Sequence, residues 1–114
     1  QHQPRLDLAQ RTARTVDGEA VTELDDAARW YEDRREGLGL AFLAALDRAV
    51  ESIERWPRAA ALVEDVSEAL EVRRVSVPRF PYFVAYLVAD ETIVVLAVAH
   101  ERRRPRYWSE RADS

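Results

Sequence analysis

The stretch FPYFVAYLVADETIVVLAVAH, residues 80–100, decides the fold of this chain. It contains two runs of valine, leucine, isoleucine and aromatic residues, which are the residue types that β-strands favour. The polar segment between the runs, residues 89–91, has the length of a hairpin turn. We therefore predict two antiparallel strands, one over residues 80–88 and one over residues 92–99.

Other segments extend this sheet. Residues 70–77 form another apolar run, which predicts a third antiparallel strand before the hairpin. The segment RTARTV, residues 11–16, has only Ala13 and Val16 as apolar residues and predicts a short further strand. Residues 59–70 have a mixed pattern and are predicted to be irregular or briefly helical. The expected sheet therefore has three to four strands and is mostly antiparallel.

The segment before the sheet has the spacing of two helices. Apolar residues recur every three to four positions after Asp17, whose side chain is suited to cap the first turn of a helix. Gly37 and Gly39 interrupt this pattern. A second apolar stripe runs from about residue 38 and ends before Pro57, because proline cannot continue a helix. Since few residues join the two helices, we predict that they pack as an antiparallel hairpin.

The two faces of the predicted sheet both need a cover. The hairpin strands have apolar residues at odd and at even positions, whereas one helical hairpin covers one face only. The other face is predicted to be covered by the terminal segments, a second copy of the chain or another protein. Phe83 and Leu87 are predicted to lie on this partner-binding face. The overall prediction is an α+β fold in which an antiparallel helical hairpin packs on a small sheet.

Composition limits the functions that this chain can have. Its 114 residues, 47% of them hydrophobic and none of them cysteine, predict a single domain over residues 11–114 after a flexible tail, residues 1–10. The net charge of -4 is unfavourable for general nucleic-acid binding, because contacts to phosphates need positive charge. No apolar run approaches the roughly 18 residues of a membrane span, and no signal peptide is visible, so we expect a cytoplasmic protein.

Two longer strings resemble a known family. They are AARWYEDRREGLGLAFLAALDRAVESIERWP, residues 27–57, and VRRVSVPRFPYFVAYLVADETIVVLAVAHERRRPRYW, residues 72–108. In this order they resemble the RelE/ParE superfamily of type II toxin-antitoxin toxins, and especially its plasmid-stabilisation proteins. The resemblance covers about residues 19–108. It implies the same α+β fold, a cognate antitoxin as partner, and a toxin that inhibits growth.

The resemblance leaves the molecular action open. In one class of action the chain binds a replication target such as DNA gyrase. In another it cuts mRNA, free or at the ribosome, without a metal or other cofactor. The negative charge favours the first class, as does Glu101, which follows His100 where the ribonuclease branch usually has an arginine close by. A degenerate member that binds its antitoxin without toxicity is a third reading.

Metal-free RNA cleavage needs a proton-transfer group and cations close to the phosphate. Histidine is suited to the first role and the arginine fork to the second, while an aromatic ring can stack on a base. The predicted catalytic candidates are His100, Arg102, Arg74 and Tyr107, and the predicted residues for binding a target or the antitoxin are Arg73, Arg79, Phe83, Leu87, Arg103 and Trp108.

Each of these residue types also has a common structural role. A histidine at a strand end often only forms hydrogen bonds, and arginines beside a sheet often pair with carboxylates. Tyr107 and Trp108 have the character of a packing anchor that attaches the C-terminal segment to the core. A second copy of the chain competes with the antitoxin as the molecule that covers the apolar face.

Overall fold

The computed structural model describes residues 14–63 and 71–102, together with residues 108 and 111. The described elements, in chain order, are β1 (Arg14–Val16), α1 (Gly18–Arg34), α2 (Leu38–Arg55), β2 (Ala61–Leu62), β3 (Arg73–Ser76), β4 (Tyr82–Ala89) and β5 (Thr92–His100). The two helices and the last three strands confirm the predicted order. The predicted N-terminal tail lies outside the described residues.

The helical hairpin is shaped by its cap and its glycines. The side chain of Asp17 accepts a hydrogen bond from the backbone N–H of Glu19 at 2.8 Å, which confirms the predicted cap of α1. Gly37, between the helices, has a φ of 89°, a conformation that glycine adopts readily. A Cβ atom on Gly39 would lie 2.7 Å from the carbonyl oxygen of Ala28. The two helices therefore approach each other more closely than a larger residue permits.

The carboxylate of Glu32 caps the start of α2. Its oxygens accept backbone N–H bonds from Gly37 at 3.0 Å and from Gly39 at 2.9 Å. These two hydrogen bonds, the Gly37 bond being the larger cause, lower the pKa of Glu32 below its ordinary value of 4.5. A lowered pKa means that the folded state binds this proton less tightly than the unfolded state. The cap therefore stabilises the fold above the ordinary pKa and is lost as the pH falls through the folded-state pKa.

We expect Glu32→Gln to melt below the wild type at neutral pH and to approach it in acid. The measurement is the melting temperature between about pH 3 and pH 7. Glu36→Gln is the matched control, because Glu36 is an exposed glutamate in the same connection. If the wild type and Glu32→Gln give parallel melting curves over this range, the cap does not depend on charge.

The sheet has five strands in the order β1-β5-β4-β3-β2. β1 pairs parallel with β5, and the other neighbours pair antiparallel. The prediction of three to four strands is wrong, because β2 lies in a segment predicted to be irregular or briefly helical. Both residues of β2 are exposed, so its sequence carries no burial pattern, and only pairing with β3 defines it.

A bulge in β5 changes which of its side chains face the helices. Ala85 pairs with Ala97 whereas Tyr86 pairs with Val95, so Leu96 is an extra residue on β5. Odd positions of β5 face the helices before the bulge, and even positions face them after it. The last residue of the strand, His100, is thereby on the helix side of the sheet.

The chain covers both faces of its own sheet. The helix side is a core built around Phe42, Ile53 and Tyr86. On the opposite face a second cluster is buried, which includes Phe83, Leu87 and Trp108. A partner is therefore not needed to bury Phe83 and Leu87. Among the three possible covers of this face, the C-terminal segment contributes at least the ring of Trp108. This ring is 1% exposed, and its burial confirms the predicted packing anchor at Trp108.

Candidate functional site

A cleft of about 530 Å³ lies on the helix side of the sheet, where α1 passes over the start of β4 and the end of β5. Its volume is in the range of about 300–1,000 Å³ that is common for ligand pockets. Helix α1 supplies one wall and the two strands supply the other. The lining residues are Glu23, Asp26, Ala27, Trp30, Tyr31, Pro81, Tyr82, Val98 and His100. We refer to this site as the α1 cleft.

His100 lies at the edge of the α1 cleft with one ring nitrogen already engaged. It pairs with Tyr82 across the two strands, and the two rings meet edge to face with centroids 5.1 Å apart. The backbone N–H of Arg102 donates to Nδ1 of His100 at 3.0 Å. An Nδ1 atom that accepts a hydrogen bond carries no proton, so the neutral ring holds its proton on Nε2. The hydrogen bond from Arg102 gives His100 a structural role, which is the alternative to catalysis that the sequence left open for a histidine at a strand end.

Tyr31, which lines the α1 cleft, belongs to a cluster of aromatic rings. Tyr31 stacks on Phe42 at 5.4 Å and meets Phe80 edge to face at 4.9 Å. Burial raises the pKa of Tyr31, and the neighbouring hydroxyl of Tyr82 raises it further. Because the ordinary value is already 10.0, the Tyr31 phenol is neutral at physiological pH. It therefore offers a hydroxyl and a ring face, but no charge.

The charge of the α1 cleft is negative. Glu23 and Asp26 are carboxylates on successive turns of α1, and no arginine is among the described lining residues. Glu23 is paired with Arg111, so the carboxylate that a phosphate in this cleft would chiefly face is that of Asp26. Such an arrangement repels a polyanion and attracts a cation.

Glu23 also closes the exposed edge of β5. β1 pairs with β5 only as far as Val95, so the edge continues beyond the last strand partner. The carboxylate of Glu23 accepts the backbone N–H of Val98 at 3.0 Å, and the guanidinium of Arg111 donates to the carbonyl of Leu96 at 2.9 Å. Arg111 and Glu23 also form an ion pair at 3.1 Å. This pair takes the place that a neighbouring strand would occupy, which protects the edge.

The structure separates two of the predicted catalytic residues, His100 and Arg74. Arg74 is on β3 with its guanidinium 4.0 Å from the ring centre of Phe83, a residue of the face opposite the helices. His100 is on the helix side, so the sheet separates the two side chains. Arg73 donates to the carbonyl of Ala60 at 2.7 Å and pairs with Glu71 at 3.4 Å. Arg74 therefore does not converge with His100, because its position on β3 faces away from the helices.

The other predicted residues occupy different surroundings. Arg79 is exposed in the turn between β3 and β4, with a φ of 71°, and Arg102 is exposed in the turn after β5. Phe83 and Leu87 are buried within the chain, because the second cluster packs around them. A partner reaches them only if that cover moves. Tyr107 and Arg103 lie outside the described residues, and their roles stay predictions.

Some residues of the α1 cleft were not found by sequence reasoning. Glu23, Asp26 and Trp30 appear in the sequence as ordinary positions of an amphipathic helix. The Glu23 contact to Arg111 joins residues 88 positions apart. A contact between residues so far apart in the chain leaves no pattern in the sequence around either of them. One feature of the sequence could have indicated the cleft: Trp30 is a large aromatic residue at a position on the polar side of the helix. The structure shows that its side chain is exposed.

Metal-binding clusters and membrane-spanning helices are absent from the described part of the chain. No group of three or more histidine or carboxylate side chains that could hold a metal occurs among them. Within the same part of the chain, neither helix combines the length and the apolar character that a membrane crossing requires.

Comparisons with known proteins agree with this architecture. The family model for the ParE toxin of the type II toxin-antitoxin system, parDE, matches residues 15–105. A solved structure of the chromosomal ParDE TA system from P. aeruginosa is similar to this chain with a TM-score of 0.67 and 16% sequence identity. The match covers 78% of this chain and 95% of that one, and it confirms the predicted α+β fold. None of the curated proteins compared with the chain matches it.

Proposed function

Because this chain belongs to the ParE toxin family of type II toxin-antitoxin systems, we propose that it arrests growth by binding DNA gyrase. Its place in the family makes it the toxin component of such a system, with a cognate antitoxin as partner. The molecular target is the part that we infer. Gyrase acts in the cytoplasm, so the proposal places the toxin there as well.

The observation that carries this proposal is the separation of the groups that RNA cleavage would require. His100 borders an acidic cleft on the helix side, whereas Arg74 lies on the opposite face. Arg73 on β3 is engaged by Ala60 and Glu71. A phosphorane needs cations close to the proton-transfer group, whereas the described residues that line the α1 cleft beside His100 include two carboxylates and no arginine. These contacts favour a protein that acts by binding over one that acts by cleavage.

Overall charge supports a protein target. The chain has 17 arginine and lysine residues against 21 acids, for a net charge of -4. Binding to bare nucleic acid depends on neutralised phosphates and is weak for an acidic protein. A surface of a replication enzyme imposes no such requirement. Arg79, which is exposed in the turn between β3 and β4, is available for contacts with that surface.

The experiment is a supercoiling assay with purified toxin and gyrase. We expect the toxin to inhibit supercoiling or to trap cleaved DNA, and we expect the antitoxin to reverse this. His100→Ala and Arg102→Ala are expected to keep growth arrest, because neither side chain has a chemical step to perform. RNA from the same induced cultures should remain uncut. The absence of any gyrase effect at saturating toxin would dismiss this target.

The ribonuclease reading predicts the opposite result for the same variants. If His100→Ala and Arg102→Ala each abolish growth arrest while circular dichroism and antitoxin binding are unchanged, cleavage of mRNA replaces gyrase binding as the function. Wild-type toxin that binds antitoxin but arrests no culture would identify a degenerate member. Light scattering on the purified toxin tests the homodimer as the remaining partner.

A further inference from the structure

We propose that the α1 cleft is a socket for an arginine side chain of the cognate antitoxin. The choice of the antitoxin depends on the family membership stated above, because that membership supplies the partner. It does not depend on gyrase as the target. The argument for arginine comes from the charge, the rings and the size of the cleft.

A carboxylate is available in the α1 cleft for a second cation. Glu23 is already bonded to Arg111 and to the backbone N–H of Val98. Asp26, one turn further along α1, is exposed and has no hydrogen bond or ion pair with any described residue. Arg34, two turns further along α1, stacks on Trp30 with its guanidinium 4.0 Å from the ring centre. Asp26 is thus the carboxylate of the cleft that has room for an incoming cation.

The rings of the α1 cleft favour a planar cation. Trp30, Tyr31 and Tyr82 all line it, and Trp30 is 51% exposed. A guanidinium stacks on aromatic faces and can form two parallel hydrogen bonds to one carboxylate, whereas an ammonium is a compact and strongly hydrated charge. The stacking of Arg34 on Trp30 is an example of this contact on the same helix. An incoming arginine would find a carboxylate and ring faces together.

Size and position agree with a side chain that arrives on a polypeptide. A cleft of about 530 Å³ has room for an extended side chain and part of its backbone. The cleft opens beside the end of β5, next to the turn of Glu101 and Arg102. His100 forms one border with Nε2–H as its remaining donor. A segment of the antitoxin that crosses α1 at this point would place one arginine into the cleft.

The first test uses N-acetyl-arginine methylamide as a probe. Titration followed by ¹H–¹⁵N NMR is expected to move the Trp30 indole signal and the backbone signals of Asp26. The citrulline counterpart has nearly the same shape without the charge, and we expect it to bind about tenfold more weakly. Equal binding of the two probes, or no binding of either, would overturn the proposal.

The second test uses the toxin–antitoxin complex with two matched variants. Asp26→Asn is expected to weaken the complex by roughly tenfold at low salt, and by less at high salt. Asp25→Asn removes the same charge from the neighbouring position of α1, which does not line the cleft, and is expected to leave the affinity unchanged. If both variants bind the antitoxin like the wild type, the antitoxin is not the occupant and the proposal fails.

The two proposals can fail separately. A toxin without effect on gyrase removes the proposed target, but the NMR titration and the affinity ratio of the two variants still decide the socket. Conversely, an intact gyrase effect with no difference between Asp26→Asn and Asp25→Asn removes the socket alone. Both aspartates are exposed on α1, so neither variant is expected to unfold the chain.

Discussion

Trp108→Ala is expected to lower the free energy of unfolding by about 3–5 kcal/mol, the usual range for removal of a buried tryptophan. Trp108 is 1% exposed and is the largest fully buried side chain in the described part of the chain. It packs in the cluster that covers the face of the sheet away from the helices, together with Phe83 and Leu87. Its removal leaves a cavity over that face.

The matched control for this prediction is Trp56→Ala. Trp56 follows the end of α2 and is 63% exposed, so its loss should change stability by less than about 0.5 kcal/mol. Urea denaturation of the two purified variants gives the comparison. If Trp108→Ala is no less stable than Trp56→Ala, the C-terminal segment does not cover the sheet in solution. The apolar face would then again require a partner.

A second substitution separates the tryptophan ring from its N–H group. Nε1 of Trp108 is buried and has no hydrogen-bond partner among the described residues. Trp108→Phe removes this unsatisfied donor and keeps an aromatic ring, so we expect a smaller loss of stability than for Trp108→Ala. A loss equal to that of alanine would mean that the full indole shape is required.

Glu23→Ala is expected to lower the free energy of unfolding by about 2–3 kcal/mol, because it takes one partner from a largely buried charged network. The side chains of Glu23 and Arg111 are 17% and 13% exposed. Without the carboxylate, the backbone N–H of Val98 loses its acceptor and Arg111 loses both of its hydrogen bonds to Glu23. The open edge of β5 is then less protected, and we expect aggregation at neutral pH to increase.

Glu19→Ala is the control for this network. Glu19 contacts the same guanidinium at 2.8 Å, but its side chain is 71% exposed. Exposed ion pairs contribute little, so we expect a change below about 1 kcal/mol. Thermal and urea denaturation of both variants measure the difference. Equal losses for Glu19→Ala and Glu23→Ala would contradict the role of Glu23 at the strand edge and assign its effect to charge alone.

Most of the fold could be predicted because its signals are local. The apolar spacing and the cap at Asp17 predict α1, and Pro57 limits α2. The run at residues 80–100 predicts the hairpin whose turn contains Asp90 and Glu91, both with positive φ. β2 could not be predicted, because two exposed residues carry no pattern and depend on pairing with β3.

The candidate site was harder to predict than the fold. His100 and Arg74 are close to arginine-rich segments in the sequence, which suggested one catalytic cluster. The sheet places their side chains on opposite faces. In contrast, Glu23 and Arg111 form an ion pair across most of the chain length. Contacts of this kind depend on how distant elements pack, and no short motif encodes them.

By itself, the sequence determined the order of helices and strands, the apolar character of both sheet faces and the resemblance to the toxin family. These properties depend on residues that are neighbours in the chain. Only the tertiary structure decided that Trp108 covers the second face, and that His100 borders an acidic cleft. The bulge at Leu96 shifts the alternation of β5 by one residue and so turns His100 toward the helices. The physical reason is that strand pairing, and not the local pattern, sets which face each side chain occupies.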